Sequence, residues 1–295
     1  MLALNILITI NKLKKNFNFS LYKYIKKMPR RTIIKKDTKG GKIIGQIMGG
    51  LGNQLFIIFT TIAYAIENNF QYSIVNVERK RKSYFDTPLY KNIKVHNDTL
   101  KGFKIYREPH YHYSKIPSFK FLTINGYFQS YKYFDQYKDQ IINQLELLDC
   151  RQQLEGYDGY LHFRLGDYKN IECHPVCDIQ YYVSTLTHIG KENLKFIYFF
   201  EEEDRQEIDK KISILREKFP SFTFEPVDTN MVDYQQMLSM TTLKYCVIAN
   251  SSFSWWGAYL NQREDKIVYY PSQWFTGTLN EHNISDLCLD NWIRI

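Results

Sequence analysis

A glycine-dense turn between an apolar strand and an amphipathic helix restricts this chain more than any other feature. Lys42 to Met48 reads as a short buried strand, and it runs into Gly49, Gly50, Leu51 and Gly52. Beyond the turn, Leu55, Ile58, Phe59, Ile62 and Ile66 recur at the i, i+3, i+4, i+7 and i+11 positions of one buried helix face. Tyr72 to Val77 then reads as a second strand. Strand, glycine turn, helix and strand make a βαβ unit, so an α/β fold with parallel strands is expected.

The same alternation returns in the second half. Strands are predicted at Tyr160 to Phe163, Lys195 to Phe200, Tyr245 to Ala249 and Ile267 to Tyr270. Helices are predicted where Ile208, Ile212, Leu215 and Phe219 share a face, and near Trp255 to Asn261. A helical stretch before about Leu148 and a junction at Glu155 to Gly159 separate the halves. The segment from Arg79 to Lys120 is polar, carries Pro88, Pro109 and Pro117, and shows no clear element. The expected domains are residues 40–155 and 156–295, a comfortable pair for a chain of 295 residues.

Charge separates a third region. Residues 1–39 hold eleven Lys and Arg against Asp37, so the net +8 of the whole chain leaves −2 for the rest. A near-neutral body lacks the clustered cations of a phosphate-tracking surface, and nucleic acid is not an expected partner. The apolar run Met1 to Ile10 is too short to span a bilayer and precedes its lysines, the reverse of a signal peptide. The arm is expected to be a disordered or non-native tail; a basic membrane-surface segment and a start at Met28 are the other readings. Five cysteines, an odd number at irregular spacing, suggest a reducing, cytoplasmic setting rather than a disulfide framework. Cys173, His174 and Cys177 lack the spacing and the second ligand pair of a zinc site, so no metal is expected.

Three constellations leave the carboxyl ends of predicted strands, where ligands bind in open α/β sheets. Gly49 to Phe56 offers either a phosphate a helix amino end or simply a tight turn. With Glu78 closing the next strand, it is also a partial dinucleotide fingerprint, although Leu55 stands where the third glycine would be. His162 to Tyr168 places His162 and Arg164 on one side of a strand. There Arg164 either grips a pyrophosphate through paired hydrogen bonds, with Asp167 holding the guanidinium, or forms a surface salt bridge. Asn250, Ser251, Ser252 and Ser254 make either a neutral phosphate cradle or a helix cap above two core tryptophans.

The four segments GGLGNQLF, GYFQSYKYF at 126–134, HFRLGDY at 162–168 and NSSFSWWGAYLN at 250–261, in this order, resemble the α-1,2-fucosyltransferases of glycosyltransferase family 11. The resemblance implies a GT-B-type α/β fold of two facing Rossmann-like domains with parallel sheets. The acceptor would sit on the first domain and the nucleotide-sugar donor on the second. It implies inverting transfer of L-fucose from GDP-β-L-fucose to a galactoside hydroxyl, with no cofactor and no metal. Carried over by motif, Asn53 and Arg164 would contact the donor phosphates, with Gly52 beside them and Arg164 the main catalytic residue. His162 would line the nucleotide pocket, and Asn250, Ser251 and Ser252 or Ser254 would meet phosphate.

Two departures stand out. Leu165 occupies the place of the family's second arginine, and Phe200, Glu201 and Glu202 replace its usual Ser-Asp-Asp. Glu201 or Glu202 would then read guanine, and Glu172 would act as base by its offset from the motif histidine, as in related α-1,6 enzymes. Two other classes fit some residues: a nicotinamide-dependent oxidoreductase using the glycine loop and Glu78, and a non-catalytic sugar-binding protein with aromatic clefts.

Overall fold

The computed structural model describes residues 40–78 and 82–295. The expectations placed on residues 1–39 lie outside the described residues. The first half runs β1 (Lys42–Ile47), α1 (Leu51–Asn68), β2 (Gln71–Asn76), β3 (Lys104–Arg107), β4 (Phe121–Asn125) and α2 (Lys138–Leu145). The second runs β5 (Gly159–His162), α3 (Ile179–Ile189), β6 (Lys195–Phe199), α4 (Arg205–Lys218), β7 (Thr223–Pro226), α5 (Asp233–Ser239), β8 (Tyr245–Val247), α6 (Ser252–Tyr259), β9 (Ile267–Tyr270) and β10 (Ile293–Arg294).

Every strand pairing is parallel. One sheet has the order β2-β1-β4-β3 and the other β10-β9-β8-β5-β6-β7. This is the α/β architecture with two parallel sheets that the sequence predicts. The polar segment after Arg79 nevertheless contributes β3, an edge strand whose residues are mostly exposed and so carry no burial period. Sequence reading also passes over α3, which Asp178 caps at its amino end and Gly190 closes with φ +60°.

Packing in the second sheet follows the pleat. Leu161 and Phe163 face a core shared with Tyr182 and Leu186 of α3 and Ile208 and Ile212 of α4. Tyr160 faces the opposite way, into a core that also takes in the first sheet. His162 follows Tyr160 in that alternation, which aims its ring at α6.

The two sheets meet through α1 and α6. The sequence predicts one buried face on α1, but the helix is buried all round from Gln54 to Ala65 because it packs on β1 and β2 and also against α6. Its polar interior is partly satisfied within the helix, the Thr61 hydroxyl donating to the Ile57 carbonyl at 2.6 Å. Phe56 lies 4.5 Å from Trp255 and Phe59 4.6 Å from Trp256, ring centre to ring centre. Both tryptophans are fully buried, so they are core residues of this junction. Among the described residues no helix is long and apolar enough to cross a membrane.

Candidate active site

A cavity of about 660 Å³ opens where the carboxyl ends of β1, β4, β5, β6 and β8 converge. Gly49 to Asn53, Gln129, Arg164, Glu201 and Ser252 are on its walls, drawn from both sheets. This is the crevice that parallel α/β sheets leave for ligands.

The glycine turn is shaped by close approaches. Gly49 has φ +72° and donates its N–H to Glu78 at 2.8 Å, so the carboxylate that completed the partial dinucleotide fingerprint ties down the turn. A Cβ on Gly52 would lie 2.5 Å from the Ser252 backbone, and the Gly52 carbonyl accepts the Trp256 indole N–H at 2.8 Å. Gly52 therefore lets the two halves touch. Asn53 reaches the cavity, with its Oδ1 accepting from Gln129 Nε2 at 2.8 Å.

Arg164 is the cavity's central cation. Its guanidinium pairs with both Asp167 and Glu201 and lies 5.0 Å from the Tyr168 ring centre. Burial would lower its pKa, but the two carboxylates outweigh burial and raise it. The loop carrying it is held from below by Asp204, which accepts the Gly166 N–H at 2.7 Å and the Lys169 ammonium at 2.6 Å. Gly166 sits at φ +41°, and a Cβ there would strike Glu201. Asp204 is a buried organiser that sequence reading missed, since its partners lie more than thirty residues away.

His162 is 6% exposed, and its Nδ1 shares a 2.8 Å hydrogen bond with Ser254 Oγ. Burial first, and the Arg164 charge second, push its pKa down to about 3, so the ring is neutral at ordinary pH. Ser254 is fully buried, and its hydroxyl serves His162 rather than a phosphate. Asn250 is likewise engaged, donating to the Pro175 carbonyl at 2.8 Å and the Trp274 carbonyl at 3.1 Å. Ser251 caps α6, which leaves Ser252 as the least engaged hydroxyl at the cavity wall.

The structure does not bring Glu172 to the cavity. Ile171 and His174 on either side line the cavity, but the Glu172 side chain is exposed and lies beside Gly277. His174 does line the cavity, its ring stacked 4.7 Å from that of Tyr168. Burial lowers its pKa, and its Nδ1 is buried without a hydrogen-bond partner. Glu202 faces the cavity but is bound by Arg205 at 2.5 and 2.7 Å and by Thr229 at 2.8 Å. Arg205 first, then Thr229, lower its pKa to about 2. Glu203, Thr229, Asp233 and Tyr84 complete that wall, none of them singled out by sequence. Among the described residues no three His, Cys, Asp or Glu side chains gather as metal ligands.

Residues 3–295 match the model of glycosyl transferase family 11. The chain belongs to glycosyltransferase family 11. An Escherichia coli protein named alpha-1,2-colitosyltransferase is 25% identical over 292 residues, covering 86% of this chain and 98% of that one. The Escherichia coli O-antigen biosynthesis glycosyltransferase WbnK is 30% identical over 190 residues, 58% of this chain and 59% of that protein. A point mutant of FUT1 from Arabidopsis thaliana in complex with GDP aligns at 9% identity with a TM-score of 0.46, covering 81% of this chain and 72% of that one.

Family membership makes this chain a glycosyltransferase and sets aside the oxidoreductase and non-catalytic readings. In this glycosyltransferase the second-arginine position has a physical explanation. Leu165 is 2% exposed and packs in the core with Phe163 and Tyr182, so that position points away from the cavity.

Proposed function

We propose that this glycosyltransferase moves L-fucose from GDP-β-L-fucose to a galactoside hydroxyl, with inversion and an α-1,2 linkage. The observation that carries the reading is Arg164, a planar fork held at the meeting of both sheets and facing the glycine loop and Ser252 across one cavity. A guanidinium held this way can meet two oxygens of a diphosphate and stabilise the charge that develops as GDP leaves. Asn53 and Ser252 supply further hydrogen bonds from the facing walls. His162, neutral and fixed by Ser254, shapes the floor.

We assign the role of receiving the acceptor proton to His174 in place of Glu172. It lines the cavity and is largely neutral near pH 7, which a general base requires. In the reaction the acceptor oxygen bonds to the anomeric carbon, the bond from that carbon to the β-phosphate oxygen breaks, and the acceptor proton passes to His174. Arg164 takes the role a metal ion plays in other transferases, so none is needed. Four motifs shared with α-1,2-fucosyltransferases support the donor, and the relative named for α-1,2-colitosyl transfer supports the linkage.

That same relative makes the 3-deoxy analogue of the fucosyl donor the second candidate. Incubating the enzyme with GDP-fucose, GDP-colitose and UDP-galactose, each with lactose and N-acetyllactosamine, tests the reading. Fucosylated product with an α-1,2 linkage is expected, and equal turnover of UDP-galactose would refute it.

A further inference from the structure

Glu108 lies just beyond β3, outside the set of residues that line the cavity. Its backbone continues the sheet by donating to the Asn125 carbonyl at 2.9 Å, and its side chain turns in under the end of β4. There Oε2 accepts two backbone N–H groups at once, from Tyr127 and Phe128, each at 2.8 Å. Oε1 is buried and has no hydrogen-bond partner.

The turn is built around this carboxylate. Gly126 takes φ +156°, and a Cβ there would sit 2.3 Å from the Glu108 Cβ, so only glycine fits. Phe128 takes φ +53° while fully buried, a left-handed conformation that a bulky residue keeps only when its surroundings impose it. The next residue is Gln129, whose amide donates to Asn53 Oδ1. A continuous line thus runs from Glu108 through the Tyr127–Gln129 turn to the glycine loop. Tyr127, Gln129 and Asn53 all face the cavity.

We propose that Glu108 is a positioning residue of the transfer reaction: through Oε2 it fixes the Tyr127–Gln129 wall and, through Gln129, the side chain of Asn53 against the donor. Bonds from N–H groups to an ionised oxygen are stronger than those to a neutral acid. Burial outweighs that gain here: the closed wall binds the proton more tightly than a solvated carboxylate does, so protonation favours the closed wall over the open one, with Oε2 still accepting both N–H groups. Burial raises the Glu108 pKa to about 7, against the lowering effect of the two N–H bonds. The ionisable groups facing it are the phenols of Tyr106, Tyr111 and Tyr133, raised by burial and to a lesser degree by the Glu108 charge. These phenols stay neutral through the range in which Glu108 titrates.

The role as stated rests on the fucosyl-transfer reading, so the test pairs activity with a readout that needs no substrate. Hydrogen exchange of the 126–130 segment, corrected for the intrinsic effect of pH, is measured at pH 6 and 8 for the wild type, Glu108→Gln and Glu108→Ala, together with the melting temperature and the donor KM and kcat. In the wild type, protection and donor affinity are expected to fall together as pH rises through about 7, where the buried carboxyl ionises. Glu108→Gln keeps a carbonyl for both N–H groups and carries no charge, so at pH 8 it should show the protection and donor KM of the wild type at pH 6 and lose the pH dependence of exchange. Glu108→Ala should raise the donor KM more than it lowers kcat and expose the segment.

A Glu108→Gln enzyme with the wild-type pH dependence in both readouts would overturn the proposal. So would a folded Glu108→Ala enzyme with unchanged exchange. Wild-type protein that shows the exchange transition yet turns over no GDP-fucose would refute the donor reading and leave the clamp standing.

Discussion

Trp256 donates its indole N–H to the carbonyl oxygen of Gly52 across 2.8 Å, joining a helix of the second sheet to the glycine turn of the first. Both groups lie in the aromatic junction between α1 and α6, where water cannot replace a lost partner.

Trp256→Phe should therefore destabilise the protein by about 1–3 kcal/mol, through loss of a buried hydrogen bond and of the packing of the larger ring. Urea unfolding followed by circular dichroism measures this. An unchanged midpoint would mean that the bond adds nothing to the junction.

Arg164→Lys should leave melting unchanged and cut kcat by roughly 100- to 1,000-fold. Lysine keeps the charge but cannot pair with two oxygens through one planar group, and it cannot stack on Tyr168 in the same way. A well-folded variant retaining more than about a tenth of the wild-type rate would contradict the assigned role, since tenfold is only about 1.4 kcal/mol.

Leu165→Arg, which restores the family's arginine pair, should lower stability without raising activity. The side chain enters a core of Phe163, Tyr182 and Leu186, where an unpaired guanidinium costs more than about 3 kcal/mol. Soluble yield and melting temperature report the loss. A stable, faster enzyme would show that this backbone can turn position 165 toward the cavity.

His174→Gln should lower kcat by about 100- to 10,000-fold while GDP binding, read by calorimetry, is retained. The base must be unprotonated to work. Because burial holds the His174 pKa below its ordinary 6.5, the wild-type kcat should fall only below that pH, and the variant should lose this limb. The effect is separable from that of Glu108, which acts on donor KM at higher pH. A kcat profile that keeps its limb in the variant would place the proton elsewhere.

Activity should survive EDTA nearly unchanged, because in the proposed reaction Arg164 stabilises the leaving diphosphate directly. Loss of most turnover on chelation, with recovery on adding Mn²⁺ or Mg²⁺, would assign that task to an ion instead.

Much of the architecture was legible because parallel strands and their helices write strong periods. The glycine turn, the Arg164–Asp167 pair and the strands from Tyr160 to Tyr270 could be read from short windows of sequence. Asp204 and Glu108 could not: each acts on amides far along the chain, and nothing local distinguishes a buried carboxylate from a solvated one. Ser252 and Ser254 look alike in sequence. Only the helix start at Ser252 decides that the first reaches the cavity and the second turns inward to His162. Glu172 failed for a similar reason, since an offset from a motif does not say which way the loop bends.

A helix enclosed on every side has no outside. From Gln54 to Ala65, α1 presents no residue to water, whereas α4 buries only Ile208, Ile212 and Leu215 along its fourteen residues. Substitution on α4 can drift at most positions at little cost. On α1 a change that suits the sheet beneath must also suit the tryptophans above, so compensating partners are needed on both sides at once. The connection between the glycine turn and α6 is therefore the part of this enzyme least open to piecemeal change, and new specificity is easier to introduce through the loops that rim the cavity.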